Sequence, residues 1–227
     1  KNNQYSIIDG QQRMTTICIL FAAIINNLRK MKNGLPGKIL YQVTYVIYPN
    51  ENKFSILYSA RSDADTVMSL TNHLFFTLGD SNLDDMYMTI PAHKFVYTDK
   101  NSLIPIEVKD VPSCLNFQKS KKLTKDINDP FIKDHRTNGY DHCFVLNKGC
   151  KDPVVLENSK YKLSITSDFD SVQVYTDNYG DDNVVLTSTE KVCRSVAIEP
   201  EDNIYESHPL KKGEQYSRQI DYKFEKK

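Results

Sequence analysis

The spacing of hydrophobic positions changes near residue 34. Before it, Ile17, Leu20, Phe21, Ile24, Ile25 and Leu28 recur at helical steps, building one apolar face. This predicts a helix from about Gln12, closed by Asn33-Gly34, with Tyr5-Ser6-Ile7-Ile8 as a strand and Asp9-Gly10 as a turn before it. After Pro36-Gly37 the period becomes two. Ile39, Tyr41, Val43, Tyr45 and Ile47 alternate with Leu40, Gln42, Thr44 and Val46. Pro49-Asn50-Glu51-Asn52 reads as a turn, and Phe54, Ile56 and Tyr58 continue in a second strand.

Further short strands are predicted at Thr66–Phe76, Met86–Ile90, Lys94–Tyr97, His142–Asn147, Val154–Asn158, Lys162–Ser167, Ser171–Thr176, Val192–Ile198 and Glu214–Phe224. Clusters of Gly, Asn, Asp and Pro separate them. Residues 111–138 are polar and irregular, which predicts a long loop with a helical turn near Phe117–Lys121. Many short strands at this spacing predict a mainly β protein, an antiparallel β-sandwich with one N-terminal helix.

Composition narrows the partners. Lys plus Arg and Asp plus Glu both number 29, so the net charge is zero and bulk attraction to nucleic acid or an anionic membrane is not expected. Tyr (14) and Phe (10) are abundant, a composition that suits uncharged polar ligands such as sugars. The cysteines Cys18, Cys114, Cys143, Cys150 and Cys193 show no zinc spacing and read as reduced thiols of a cytoplasmic protein. The apolar run Ile17–Ile25 is too short to span a bilayer.

Five residues carry the candidate chemistry. In Val192-Cys193-Arg194-Ser195-Val196-Ala197-Ile198-Glu199-Pro200, alternation puts Val196 and Ile198 on one face and Ser195, Ala197 and Glu199 on the other. Pro200, lacking an N–H, is expected to stop the ladder there. Glu199 is then either a general base facing a cleft or a solvated strand-end carboxylate. His73 shares a face with Ser69 and Thr71 and is either a proton donor near neutral pH or a histidine bonded for structure. Asp141, opening a strand after the Asn138-Gly139 turn, could accept hydrogen bonds from sugar hydroxyls or satisfy nearby backbone. Gln173 and Tyr175 share a strand face and would form a sugar-binding wall or ordinary outward polar alternation. His142 falls with Phe144 and Leu146 and is expected to be structural. No nucleophile elbow, phosphate-binding Gly loop or dinucleotide fingerprint occurs.

From about residue 34 onward the chain resembles the aldose 1-epimerase (galactose mutarotase) family. The matching pieces, in order, are Leu35-Pro36-Gly37 leading into Val43-Thr44-Tyr45, Ile56-Leu57-Tyr58-Ser59-Ala60, Thr71-Asn72-His73, Tyr140-Asp141-His142-Cys143-Phe144, Val172-Gln173-Val174-Tyr175-Thr176, Arg194 to Pro200, and Leu210-Lys211-Lys212-Gly213-Glu214. The resemblance implies a large antiparallel β-sandwich with no metal and no organic cofactor, acting on an aldose such as galactose or glucose, as a monomer or homodimer. It implies Glu199 as general base on the anomeric hydroxyl, His73 as general acid on the ring oxygen, and Asp141 as the carboxylate that grips sugar hydroxyls. The family's N-terminal portion, which supplies an Arg and a further His to the sugar site, finds no counterpart, so the expected unit is an N-terminally truncated sandwich over 34–227.

Residues 1–33 resemble another family. Ile7-Ile8-Asp9-Gly10-Gln11-Gln12-Arg13-Met14-Thr15-Thr16 and the helix after it look like a fragment of the DUF262 module, of the GmrS type with a ParB-like fold. Two functional readings follow from the sequence: a sugar epimerase, or an inactive remnant or carbohydrate-binding β-sandwich without turnover. A DNA-directed role finds no basic stripe to support it.

Overall fold

The computed structural model describes residues 35–79, 82–102, 104–133, 138–178, 195–203 and 209–227. The predicted strand and helix within residues 1–33, and that resemblance, lie outside the described residues, as do Cys18 and Cys193. Cys114, Cys143 and Cys150 are free thiols.

The strands are β1 (Ile39–Tyr48), β2 (Lys53–Ser62), β3 (Phe75–Phe76), β4 (Tyr87–Thr89), β5 (Ala92–Thr98), β6 (Pro105–Asp110), β7 (Lys121–Lys122), β8 (Asp141–Leu146), β9 (Val154–Glu157), β10 (Tyr161–Ser167), β11 (Ser171–Tyr175), β12 (Val196–Glu201) and β13 (Tyr216–Lys226). They form two antiparallel sheets. One is ordered β1-β2-β13-β10-β9-β4-β7 and the other β3-β12-β11-β8-β5-β6. The chain is thus mainly β, and the two sheets enclose one core.

Strand alternation builds that core. Directly opposed residues share a sheet face. On the first sheet, Ile56 pairs with Ile220, Ile165 with Tyr222 and with Val154, and Leu163 with Leu156. On the second, Val174 pairs with Ile198, Val172 with Phe144, and Val196 with Phe76. All of these side chains are buried, and the Phe76 and Tyr222 rings meet across the layers at 5.6 Å. Each fully buried aliphatic or aromatic side chain contributes roughly 1.5–3 kcal/mol to this packing. The opposite face of the second sheet therefore needs no large apolar residues and is open to polar ones.

Three expectations need correction. First, Thr66–Phe76 is not a strand. Thr66 makes an isolated bridge to Leu210, only Phe75 and Phe76 enter a ladder, and residues 67–74 have no regular secondary structure between them. Side chains replace the missing ladder: Tyr216 Oη accepts from Leu70 N (3.2 Å), and Thr71 Oγ1 donates to Pro200 O (2.7 Å). Second, Pro200 does not stop its strand. β12 continues to Glu201, and Pro200 lies opposite Val172. In an antiparallel strand the N and C=O of one residue point the same way. Because Pro200 O faces Thr71, its N also faces away from β11, beyond the two residues that pair with β3, so no ladder bond is lost. Third, the loop 111–138 turns helically at Ser113–Leu115 and Pro130–Lys133, not at Phe117–Lys121. There Phe117 is buried against Tyr140 and Phe144, and Lys121 starts a short strand.

Candidate active site

The site is built on the outer face of the second sheet. β8, β11 and β12 lie side by side. Gln173 stands opposite Glu199 on one side and Cys143 on the other, Tyr175 opposite Ala197 and Asp141, and Ser171 opposite Glu201. Shared faces therefore bring Asp141, Cys143, Gln173, Tyr175, Glu199 and Glu201 together, on the side away from the core.

Asp141 owes its position to the turn before it. Asn138 adopts a left-handed conformation (φ 51°), and Gly139 passes so close to β11's end that a Cβ would lie 2.1 Å from Asn178 Oδ1 and 2.6 Å from Thr176 Oγ1. Those two side chains clamp the turn: Tyr140 N donates to Thr176 Oγ1 (2.9 Å), and Asn178 Nδ2 donates to Tyr140 O (2.9 Å). His142 points to the core side, is buried beside Phe95, and accepts from Asp141 N through Nδ1 (3.0 Å), the structural place expected for it.

His73 arrives from the irregular segment 67–74. Its neighbours pin it: Thr71 is bonded to Pro200, and the buried Asn72 donates through Nδ2 to Tyr222 Oη (2.9 Å) and Tyr58 Oη (3.3 Å). His73 then projects over the sheet face, with Nε2 3.5 Å from Glu199 Oε1. Its ring packs against Phe75 (4.8 Å) and edge-on to Tyr175 (5.9 Å). Tyr175 Oη accepts from Asn178 N (3.1 Å), which fixes the phenol so that the ring is what it offers the site. Gln173 Nε2 donates to Asp141 Oδ1 (2.5 Å). All five sequence candidates therefore meet on one surface.

Charge in this site is held out of water. Glu199 is 8% exposed, which excludes the solvated strand-end alternative. Burial, then the charges of Glu201 and Asp141, push its carboxyl up to about 8. Burial also raises Asp141, against the hydrogen bond from Gln173 and the attraction of His73. Glu201 is raised by burial and by Asp202 and Asp170, while a hydrogen bond from Cys143 works the other way. The Cys143 thiol is held well above its ordinary value by burial and by Glu201.

Glu201, Cys143 and Phe75 were not found from the sequence. Period two from Glu199 reaches Glu201, but the expected stop at Pro200 hid it. Asp202 follows, taking Tyr216 Oη on Oδ2 (2.7 Å) and Arg218 Nε on Oδ1 (2.8 Å). A cavity of about 760 Å³ opens here, with Asp141, Gln173, Cys143 and Glu201 among its walls and Val67 and Met68 on an apolar side. Glu199, His73 and Tyr175 do not line it; they adjoin it on the same sheet face. Among the described residues, no group of three or more His, Cys, Asp or Glu side chains is arranged to hold a metal ion. No helix among them is long and apolar enough to cross a membrane.

The family model for aldose 1-epimerase matches residues 24–223. The chain belongs to this family. The match starts ahead of residue 34, inside the segment 1–33. An aldose 1-epimerase of Haemophilus influenzae is 30% identical over 155 residues, 64% of this chain and 44% of that protein. The human galactose mutarotase is 27% identical over 211 residues, 85% of this chain and 59% of that protein. The chain thus spans about half the length of these family members. Among solved structures, a galactose 1-epimerase from Lactobacillus acidophilus superposes with a TM-score of 0.75 at 24% identity, covering 85% of this chain and 59% of that one. That likeness shows the fold, a galactose mutarotase-like sandwich.

Proposed function

We propose that this chain carries the acid–base site of an aldose 1-epimerase, an isomerase that interconverts the α and β anomers of a free hexose such as galactose or glucose. The observation that carries the reading is the approach of His73 Nε2 to Glu199 Oε1 at 3.5 Å, beside Asp141, Gln173 and Tyr175. Family membership supports it. Anomer exchange needs one group to take the proton of the anomeric hydroxyl and another to protonate the ring oxygen, so that the ring opens to the aldehyde. After the carbonyl turns its other face, the same two groups reclose the ring with their roles exchanged. Two titratable groups in contact, holding one proton between them, meet that requirement in both directions.

Burial keeps the resting proton on Glu199 at neutral pH. Passing it to His73 leaves a carboxylate and an imidazolium, the base and acid that family resemblance assigns to these positions. Sugar hydroxyls that donate to Glu199 favour that form, because hydrogen bonds to a charged group stabilise its charged state. Asp141, tethered by Gln173, is the acceptor for further hydroxyls, and Tyr175 with Phe75 supplies aromatic faces for the C–H side of the sugar.

Polarimetry on freshly dissolved α-D-galactose tests the reading, with Glu199→Gln as control. Rotation should relax faster than in buffer, and the variant should lose the gain while staying folded. A folded protein that binds sugar without accelerating relaxation would favour the carbohydrate-binding alternative instead.

A further inference from the structure

Segment 67–74 runs beside β12, although the ladder between β3 and β12 holds only Phe75 and Phe76. In that antiparallel ladder Phe75 stands opposite Ala197 and Phe76 opposite Val196. Carried two residues past its end, the same register sets His73 opposite Glu199. Carried three further, it sets Leu70 opposite Asp202. The contacts follow it: His73 Nε2 meets Glu199 Oε1 at 3.5 Å, and Thr71 Oγ1 reaches Pro200 O at 2.7 Å. Directly opposed residues share a face and bring their side chains together. The meeting of His73 with Glu199 therefore depends on a register kept where the ladder itself has ended.

At the far end of the segment, a side chain from the other sheet keeps it. Tyr216 and Arg218 project from β13 on the same face as the core residues Ile220 and Tyr222. The Tyr216 hydroxyl lies between Leu70 and Asp202. It accepts from Leu70 N (3.2 Å) and donates to Asp202 Oδ2 (2.7 Å). An amide N–H can only donate, which leaves the hydroxyl proton for the carboxylate. Asp202 is fixed in turn by Arg218, which donates to Oδ1 through Nε (2.8 Å) and Nη2 (2.5 Å). The guanidinium also lies over the Tyr216 ring, 5.2 Å from its centre. Tyr216 and Asp202 are both buried, and charge-assisted bonds of this kind are short and directional. Thr71 and Asn72 are tied through their own side chains, which leave the backbone free to turn. The bond to Leu70 N holds the backbone itself.

We propose that Tyr216 is a positioning residue for the acid–base pair. Its hydroxyl, set by the Asp202–Arg218 ion pair, joins the segment carrying His73 to the end of the strand carrying Glu199 and keeps the two side chains opposite. The inference rests on the epimerase reading for its catalytic meaning. Tyr216 acts through Leu70 and Asp202, which lie three residues from His73 and from Glu199 respectively.

Tyr216→Phe removes the hydroxyl and keeps the ring under Arg218. Its crystal structure should show both sheets unchanged and His73 Nε2 moved out of hydrogen-bond reach of Glu199 Oε1. On α-D-galactose kcat should fall about tenfold and KM change about twofold or less, because a misplaced proton-transfer group is felt mainly in the transition state. Ile220→Val, a core trim on the same face of β13, is the stability-matched control. It should leave both kcat and the His73–Glu199 distance as in wild type. Asp202→Ala withdraws the other end of the junction and should displace His73 in the same way. The double variant should lose no more kcat than Tyr216→Phe alone. Asp202→Ala also keeps the test decisive where Tyr216→Phe fails to fold. An unmoved His73 with wild-type kcat in either folded variant, or an equal loss of kcat in Ile220→Val, would overturn the proposal. Absence of mutarotation in the wild-type protein would instead sink the epimerase reading, and the crystallographic distance would still decide whether Tyr216 sets the pair.

Discussion

His73 Nε2 stands 3.5 Å from Glu199 Oε1, one side chain half-exposed and the other buried, on elements that share no regular ladder at that point. On the proposed reading the two groups act as one proton-holding unit. Burial and neighbouring carboxylates push the Glu199 carboxyl up to about 8. On the proposed reading the pair works with one proton, so kcat/KM should decline as pH rises through about 8, where that proton is lost to water. A rate constant that climbs through the same range would mean that Glu199 works only after deprotonation and that the proton is not shared. Stopped-flow polarimetry across pH 6–10, on the order of one reading per half unit, separates the two.

The same burial has a consequence for stability that needs no substrate. Glu199 titrates at about 8 when folded and near its ordinary 4.5 when unfolded. Between those values the folded state holds more protons than the unfolded one, so stability falls as pH rises from 4.5 to 8. Below that window the buried group is neutral in both states and costs nothing by this route. Above it the full cost is present, roughly 3–5 kcal/mol. Glu199→Gln carries no charge at any pH. Its unfolding free energy relative to wild type should therefore increase across this window and level off above it. Urea denaturation of both proteins at several pH values measures the difference. Parallel pH curves would show that Glu199 is not buried as a carboxyl.

How much of this was legible in the sequence depends on which force fixes each element. Strands whose apolar residues alternate cleanly, such as Val172 and Val174 or Leu163 and Ile165, were readable because a single buried face dictates period two. The segment 67–74 kept the alternation of side chains, with Asn72 inward and His73 outward, but not the ladder. Its backbone is anchored by Thr71 and Tyr216 side chains, and such distant partners leave no local signal. Pro200 misled for the same reason: whether a proline ends a strand depends on which side its nitrogen faces, which is set by neighbouring strands. The candidate site residues could be named only through family resemblance joined to face parity. Glu201 lay beyond the quoted motifs and Cys143, inside Tyr140–Phe144, was given no role; that both share the site's face follows only from how β8, β11 and β12 pair in the folded sheet.

The turn at Asn138-Gly139 offers a packing test of how Asp141 is aimed. A methyl group at Gly139 would run into Asn178 Oδ1 at 2.1 Å and Thr176 Oγ1 at 2.6 Å, and both atoms belong to side chains already committed to hydrogen bonds with each other or with Tyr140. Neither can retreat without giving up the clamp. Gly139→Ala should destabilise the fold by about 1–3 kcal/mol, the usual cost of forcing extra volume into a packed place. It should also weaken sugar binding, because β8 begins at Asp141 directly beyond the turn. Denaturant midpoints and KM measured on one preparation check both effects. An unchanged midpoint would mean that the turn yields freely.

Asn72 gives the sharpest separation of fold from site. Its side chain is 4% exposed and donates to the hydroxyls of Tyr222 and Tyr58, while the adjacent residue is His73. Asn72→Leu keeps the branching of the side chain but removes its donor and acceptor, leaving the fully buried Tyr222 hydroxyl short of a partner at a cost of about 1–3 kcal/mol. The core would still form from Ile56, Ile220, Leu163 and Leu156, none of which touches the substitution's chemistry. The segment 67–74, however, would lose one of the few bonds that replace its ladder, and the imidazole would drift from Glu199. The expected result is a folded protein whose kcat falls roughly ten- to hundredfold, with KM changed far less, because misplacement of a proton donor is felt mainly in the transition state. Equal losses of stability and no loss of kcat in the folded fraction would place His73 outside the control of its neighbour. Thr71 bound to Pro200 would then suffice to hold it.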